Sequence, residues 1–168
     1  MDVWQAIRKK RAVRKFTPEP LPEAVVQRIL DAGRRSQSSK NSQPWQFIAV
    51  QERERLQKMA QLGDFMGHVA GAALCVAILT PAPGERFAWH MFDIGQAASY
   101  MQLAALEVGV GSCLGTVYKA DKARQILGFP EDKHLTIVIS FGYPAEAPRP
   151  PRPEGRKQLD DVVHWETW

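Results

Sequence analysis

The chain has 168 residues, a formal net charge of +4, 45% hydrophobic and 24% charged residues, a balance that excludes a disordered or fibrous protein and fits one domain over 1–168. Cys75 and Cys113 make neither a CxxC pair nor a secreted disulfide framework, so a reducing cytoplasm is expected. The start carries no apolar signal core, and the longest apolar stretch, Val69 to Leu79, is too short to span a bilayer, so neither export nor a membrane role is expected.

Asp2 to Lys10 predicts a short helix with Val3, Ala6 and Ile7 on one face. It runs into a dense basic segment of Arg8, Lys9, Lys10, Arg11, Arg14 and Lys15. Pro18, Pro20 and Pro22 make a turn, and Pro22 suits the first position of a helix carrying Val26, Ile29, Leu30 and Gly33 at helical spacing as far as about Arg35. Ser36 to Ser42 is a polar loop closed by Pro44, and Phe47 to Val50 a short strand. Arg53 to Leu62 reads as a helix with Leu56, Met59, Ala60 and Leu62 inward. Ala72 to Leu79, ended by Thr80-Pro81, reads as a strand buried on both faces.

A long helix over Phe87 to Val108 is rich in small residues (Gly95, Ala97, Ala98, Ser99, Ala104, Ala105) and predicts a crowded central position, with Gly109 and Gly111 ending it. Asp121 to Leu127 is a short helix capped by Asp121, and Leu135 to Phe141 a second buried strand. The tail over 145–168 is proline- and arginine-rich as far as Pro153, hence extended, and then carries Leu159, Val162, Val163, Trp165 and Trp168. So much apolar surface on irregular chain must rest on something, which points to an embrace between subunits.

Few catalytic signatures are present. There is no GxxxxGK[ST] loop, and Gly109 to Gly115 follows a helix and precedes a strand, the reverse of the dinucleotide-binding order. His68, His90, His134 and His164 are scattered without metal-ligand spacing and read as structural or solvated, no GxSxG elbow occurs, and Cys113 reads as a buried free thiol. No metal site and no acid–base pair is expected.

The basic segment has two readings: a solvated helix end, or a clamp on phosphate in which Arg11 and Arg14 offer planar forks. A second basic group, Arg149, Arg152, Arg156 and Lys157, lies near the C-terminus. Neither cluster has the interleaved aromatics of a nucleic-acid platform, so nucleic acid is not the expected partner. Ser38-Ser39-Lys40-Asn41-Ser42-Gln43-Pro44-Trp45 reads either as an ordinary loop or as a set of donors and acceptors for a planar heterocycle.

Taken in order, Lys10 to Phe16, Ser38 to Trp45, Asp93 to Ala98 running through to Cys113, Gly142-Tyr143-Pro144 and Arg156 to Val163 resemble the nitroreductase-like FMN-dependent oxidoreductase family over nearly the whole chain. The resemblance implies an α+β fold, a central mainly antiparallel sheet flanked by helices, with a C-terminal tail wrapping the partner of a homodimer. It implies FMN at the subunit interface, its phosphate held by Lys10, Arg11, Arg14, Arg156 and Lys157. Ser38, Ser39 and Asn41 would contact the same flavin from the other subunit, and Cys113, Leu114 and Gly115 would meet its ring through backbone groups.

Two departures are visible. Ala12, at a flavin-contacting position, stands where the family commonly has serine, and Lys10 stands where arginine is common. The implied activity is NAD(P)H-dependent reduction of nitroaromatics, quinones or similar small electron acceptors by a ping-pong hydride mechanism, with NADH or NADPH as donor and the flavin carrying the chemistry. Phe65, Met66, Trp89 and Phe92 are candidate walls over the flavin, with core packing the competing role for at least half of them. The alternatives are a relative with different flavin chemistry, such as a dehalogenase or dehydrogenase, and a non-enzymatic flavin-binding dimer.

Overall fold

The computed structural model describes residues 1–147 and 155–168. Its helices are α1 (Val3–Lys9), α2 (Glu23–Arg34), α3 (Arg53–Met59), α4 (Phe87–Glu107) and α5 (Ala120–Leu127); its strands are β1 (Gln46–Val50), β2 (Leu74–Pro81), β3 (Gly111–Thr116) and β4 (Lys133–Gly142). The strands form one antiparallel sheet in the order β1-β2-β4-β3, with helices on both faces. This is the expected α+β class.

The pleat of β2 divides the core in two, because successive side chains of a strand point to opposite faces. Leu74, Val76 and Ile78 pack with Val26 and Ile29 of α2 and with Ile94, Ala97, Met101 and Ala105 of α4. Cys75, Ala77 and Leu79 pack the other way, with Leu56 and Met59 of α3, Ala123 of α5, and Leu62, Met66 and Val69 from the connection before β2. The small residues of α4 do what their size allows. Where α2 crosses α4, a Cβ on Gly33 would stand 2.1 Å from Cε of Met101, so only glycine fits without repacking.

The departures from expectation are local. β2 begins at Leu74 rather than Ala72, because the Ala72 amide closes a 3₁₀ turn onto the Val69 carbonyl at 3.1 Å. It runs on through Thr80 and Pro81, which pair with His134 and Lys133. α3 stops at Met59, and a tight turn in which the Leu62 amide reaches Met59 O at 3.1 Å still delivers Leu62 to the core. Asp121 does not cap α5. Lys119 stands at the cap, and Asp121 lies in the first turn, where its charge complements the helix dipole. On the apolar face of α1, Val3, Trp4 and Ile7 are 73%, 65% and 52% exposed.

Candidate functional site

The basic segment after α1 is fixed in place by main-chain pairing. Ala12 bridges Ser112 in parallel, with the Val13 amide donating to Ser112 O at 3.0 Å. Phe16 bridges Pro144, flanked by Thr17 N to Tyr143 O at 2.8 Å and Ala145 N to Lys15 O at 3.0 Å. The segment therefore runs from the outer edge of β3 to the end of β4. Close approach requires Gly111 and Gly142, where an added Cβ would come within 2.7 Å of Val13 Cβ and 2.9 Å of the Phe16 ring.

This docking crowds cations together. Lys10 is half-buried and donates from Nζ to Arg11 O at 3.2 Å, while Arg11 Nη1 donates to Lys10 O at 2.6 Å. Burial pushes the Lys10 ammonium below its ordinary pKa; Cys113 opposes this, and Arg14 and Arg11 add to it. Burial raises the Cys113 thiol, with Arg14 and Lys10 pulling it back. Among the described residues, none of Lys10, Arg11 and Arg14 forms an ion pair with a carboxylate, whereas neighbouring Lys15 pairs with Glu146 at 2.7 Å. Behind the segment lies a cavity of about 210 Å³ lined by Lys10, Arg11, Val13, Gln102, Leu106 and Gly111, among others.

Of the expected flavin-facing residues on β3, Cys113 and Gly115 are buried and the Leu114 side chain is 47% exposed. In an antiparallel ladder, successive residues turn their N–H and C=O alternately toward and away from the partner. Ser112 O accepts from Val13, on the side away from β4. The amide of Leu114, two residues on, therefore faces the same outer edge, beside the basic segment.

Beneath this stretch sits a pair that sequence reasoning missed. His68, 8% exposed, places Nδ1 2.8 Å from Oγ of fully buried Ser140, and Ser140 Oγ donates to Cys113 O at 3.3 Å. Burial lowers the His68 pKa and Arg14 lowers it further, against a smaller opposing contribution from the Leu114 backbone. No motif marks these residues; only the register, with Cys113 opposite Ser140, brings them together.

The polar loop lies elsewhere. Its backbone takes left-handed conformations at Lys40, Asn41 and Gln43, with φ of 53°, 52° and 46°. Ser38 Oγ accepts from the Gln43 amide at 2.9 Å, and the Ser39 amide donates to both oxygens of Asp93, at 3.2 and 3.3 Å. Asp93 is only 2% exposed, so the loop is tied to α4 through a buried carboxylate. Asp93 and the cavity residue Gln102 are nine positions apart on α4, about 14 Å along the helix axis. Within one chain the Ser38–Asn41 loop and the cationic segment are thus separated.

Arg156 and Lys157 are exposed and, among the described residues, make no hydrogen bond or ion pair to the cationic segment. Arg149 and Arg152 lie outside the described residues. Phe65, Trp89 and Phe92 are 83%, 64% and 68% exposed. Met66 is not a wall: it is fully buried in the core and packs under Gly63 and Gly115.

A model of the nitroreductase family matches residues 7–66 and 61–143. The chain belongs to the nitroreductase family. A relative in Methanothermobacter thermautotrophicus, named "Putative NADH dehydrogenase/NAD(P)H nitroreductase", is 30% identical over 100% of this chain and 88% of its own length. The solved structure of an FMN-dependent nitroreductase from Clostridium difficile superposes with a TM-score of 0.87 at 25% identity, covering 97% of this chain and 98% of that one. An iodotyrosine deiodinase of Nematostella vectensis is 21% identical over 96% of this chain and 74% of its own length. The family match spans both the cationic segment and the β3 edge, and among the described residues no helix is long and apolar enough to cross a membrane.

Proposed function

We propose that the chain binds FMN between two copies of itself and uses NADH or NADPH to reduce small acceptors such as nitroaromatics or quinones. One observation carries the reading: Lys10, Arg11 and Arg14 are gathered at one edge with no carboxylate partner among the described residues. Unneutralised cations held together against their own repulsion fit an anion, and a phosphate ester accepts several charge-assisted hydrogen bonds at once. FMN meets that demand at its phosphate and offers ring carbonyls and nitrogens to outward amides such as that of Leu114.

When bound, FMN supplies the acceptance and return of a hydride. The chain's own residues bind and orient. Lys10, Arg11 and Arg14 neutralise the phosphate, joined by Arg156 and Lys157 of the tail. The Cys113–Gly115 edge aligns the ring, and Ser38, Ser39 and Asn41, remote from the clamp within one chain, serve the site of the second copy. Donor and acceptor use the same cleft in turn, which gives ping-pong kinetics. A dimer also accounts for the exposed Val3, Trp4 and Ile7 of α1 and for Leu159, Val162, Trp165 and Trp168 of the tail, 55% to 100% exposed in the single chain.

The test is to purify the protein with FMN, confirm the yellow chromophore, and bleach it anaerobically with NADH and NADPH. Reoxidation is then followed with a quinone, a nitroaromatic and a halogenated phenol. Bleaching and turnover are expected. Flavin uptake without bleaching overturns the reductase reading, and a strictly monomeric holoprotein overturns the shared site. A reductive dehalogenase is the second reading, favoured by the similarity to the deiodinase, and halide release distinguishes it.

A further inference from the structure

We infer that His68 and Ser140 are positioning residues that tune the outward amide of Leu114, the donor the β3 edge offers to the flavin ring; this rests on the flavin reading above. Ser140 is fully buried on β4, and its one hydroxyl proton goes to Cys113 O, 3.3 Å away. The inferred chain takes the Nδ1–H tautomer of His68, whose ring donates to Ser140 Oγ across the 2.8 Å contact while the hydroxyl proton goes to Cys113 O. The result is a directed chain, His68 Nδ1–H to Ser140 Oγ–H to Cys113 O. Nε2, unprotonated in that tautomer, is buried against the β3 backbone, 3.6 Å from the place a Gly115 Cβ would take.

The end of that chain is what matters. The Cys113 carbonyl and the Leu114 amide belong to one peptide group. Hydrogen bonds in series polarise one another, so a donor on the carbonyl strengthens the N–H at the other end of the same unit. That N–H points to the outer edge, beside Arg14 and Lys10. A stronger donor there favours the electron-rich, reduced ring over the oxidised one. Arg14 is the charged group facing His68; Ser140 and the Leu114 backbone are its other polar neighbours, and β4 contributes no acid.

Ser140→Ala and His68→Leu break the chain at its two links. Ser140→Thr keeps the hydroxyl, and His68→Asn keeps a donor near the Nδ1 position. The flavin-loaded proteins are titrated anaerobically against reference dyes for the midpoint potential, with FMN affinity measured separately and apoprotein melting as the folding control. Breaking the chain is expected to make flavin reduction about tenfold less favourable, a fall of about 30 mV for a two-electron couple. FMN affinity should change little, because the phosphate contacts are untouched, and Ser140→Thr and His68→Asn should recover most of the potential.

An unchanged potential in folded, flavin-loaded Ser140→Ala and His68→Leu overturns the inference while leaving the flavin site standing. An equal fall in the two rescue variants overturns it as well, since bulk rather than hydrogen bonding would then be responsible. A wild-type chain that takes up no FMN overturns both readings.

Discussion

Lys10 separates the demands of the empty fold from those of the ligand. Its ammonium is half-buried, held below its ordinary pKa first by burial and then by Arg14 and Arg11, against the opposing effect of Cys113. A lysine whose folded pKa is depressed works against folding at neutral pH, and that cost is relieved only as pH rises through the folded value toward 10.5. Lys10→Met removes the charge and keeps most of the stem, so the apoprotein should melt higher than wild type at pH 7.

With FMN the sign reverses. One charge-assisted hydrogen bond to phosphate contributes about 1.5–3 kcal/mol, so the FMN dissociation constant should rise roughly ten- to hundredfold. Differential scanning fluorimetry on apoprotein and flavin-fluorescence titration on the same preparations read the two quantities. A Lys10→Met variant that melts lower as apoprotein and binds FMN as tightly as wild type would refute both the burial argument and the clamp.

Gly111→Ala places a Cβ 2.7 Å from Val13 Cβ; overpacking of this kind costs about 1–3 kcal/mol and should also weaken FMN binding, and a variant with wild-type melting and affinity would show that the segment is not held against β3. His68 has a folded pKa below its ordinary 6.5, so the unfolded chain takes up its proton first and stability should fall as pH drops below that value, levelling off beneath the folded pKa. Denaturant melts from pH 7.5 to 5 should show this loss reduced in His68→Asn, and an identical pH slope would remove His68 from the account. Trp165→Ala with Trp168→Ala truncates the exposed tail; if these are anchors in a dimer, each contributes about 2 kcal/mol or more, roughly thirtyfold in the dissociation constant, readable by sedimentation velocity.

Periodicity located most of the framework because it is a local property. Val26, Ile29 and Gly33 repeat at helical spacing and face the core, and the apolar run through Val76 and Ile78 is buried on both faces as its composition demanded. The helix expected over Asp2 to Lys10 shows the limit of that signal: amphipathic spacing shows that an apolar face exists, not that the same chain covers it, and Val3 and Ile7 stay exposed. Of the two readings open for Met66, core is the one realised, beside Leu62 and Val69, because the turns after α3 carry it inward, which spacing in a short connection does not reveal.

At the candidate site, the basic run and the polar loop were visible as composition, whereas the Asp93 anchor and the His68–Ser140 pair depend on contacts 54 and 72 positions apart in the chain. No local pattern encodes such separations.

The Ser39–Asp93 tie and the cavity around Gln102 make α4 a ruler graduated at both ends. One extra residue inserted between those marks would lengthen the helix by about 1.5 Å and swing one end by roughly 100° against the other. Each local arrangement would survive by itself, yet the two half-sites of a pair of chains would no longer meet. Relatives that vary their loops freely are therefore expected to hold the length of this helical interval fixed.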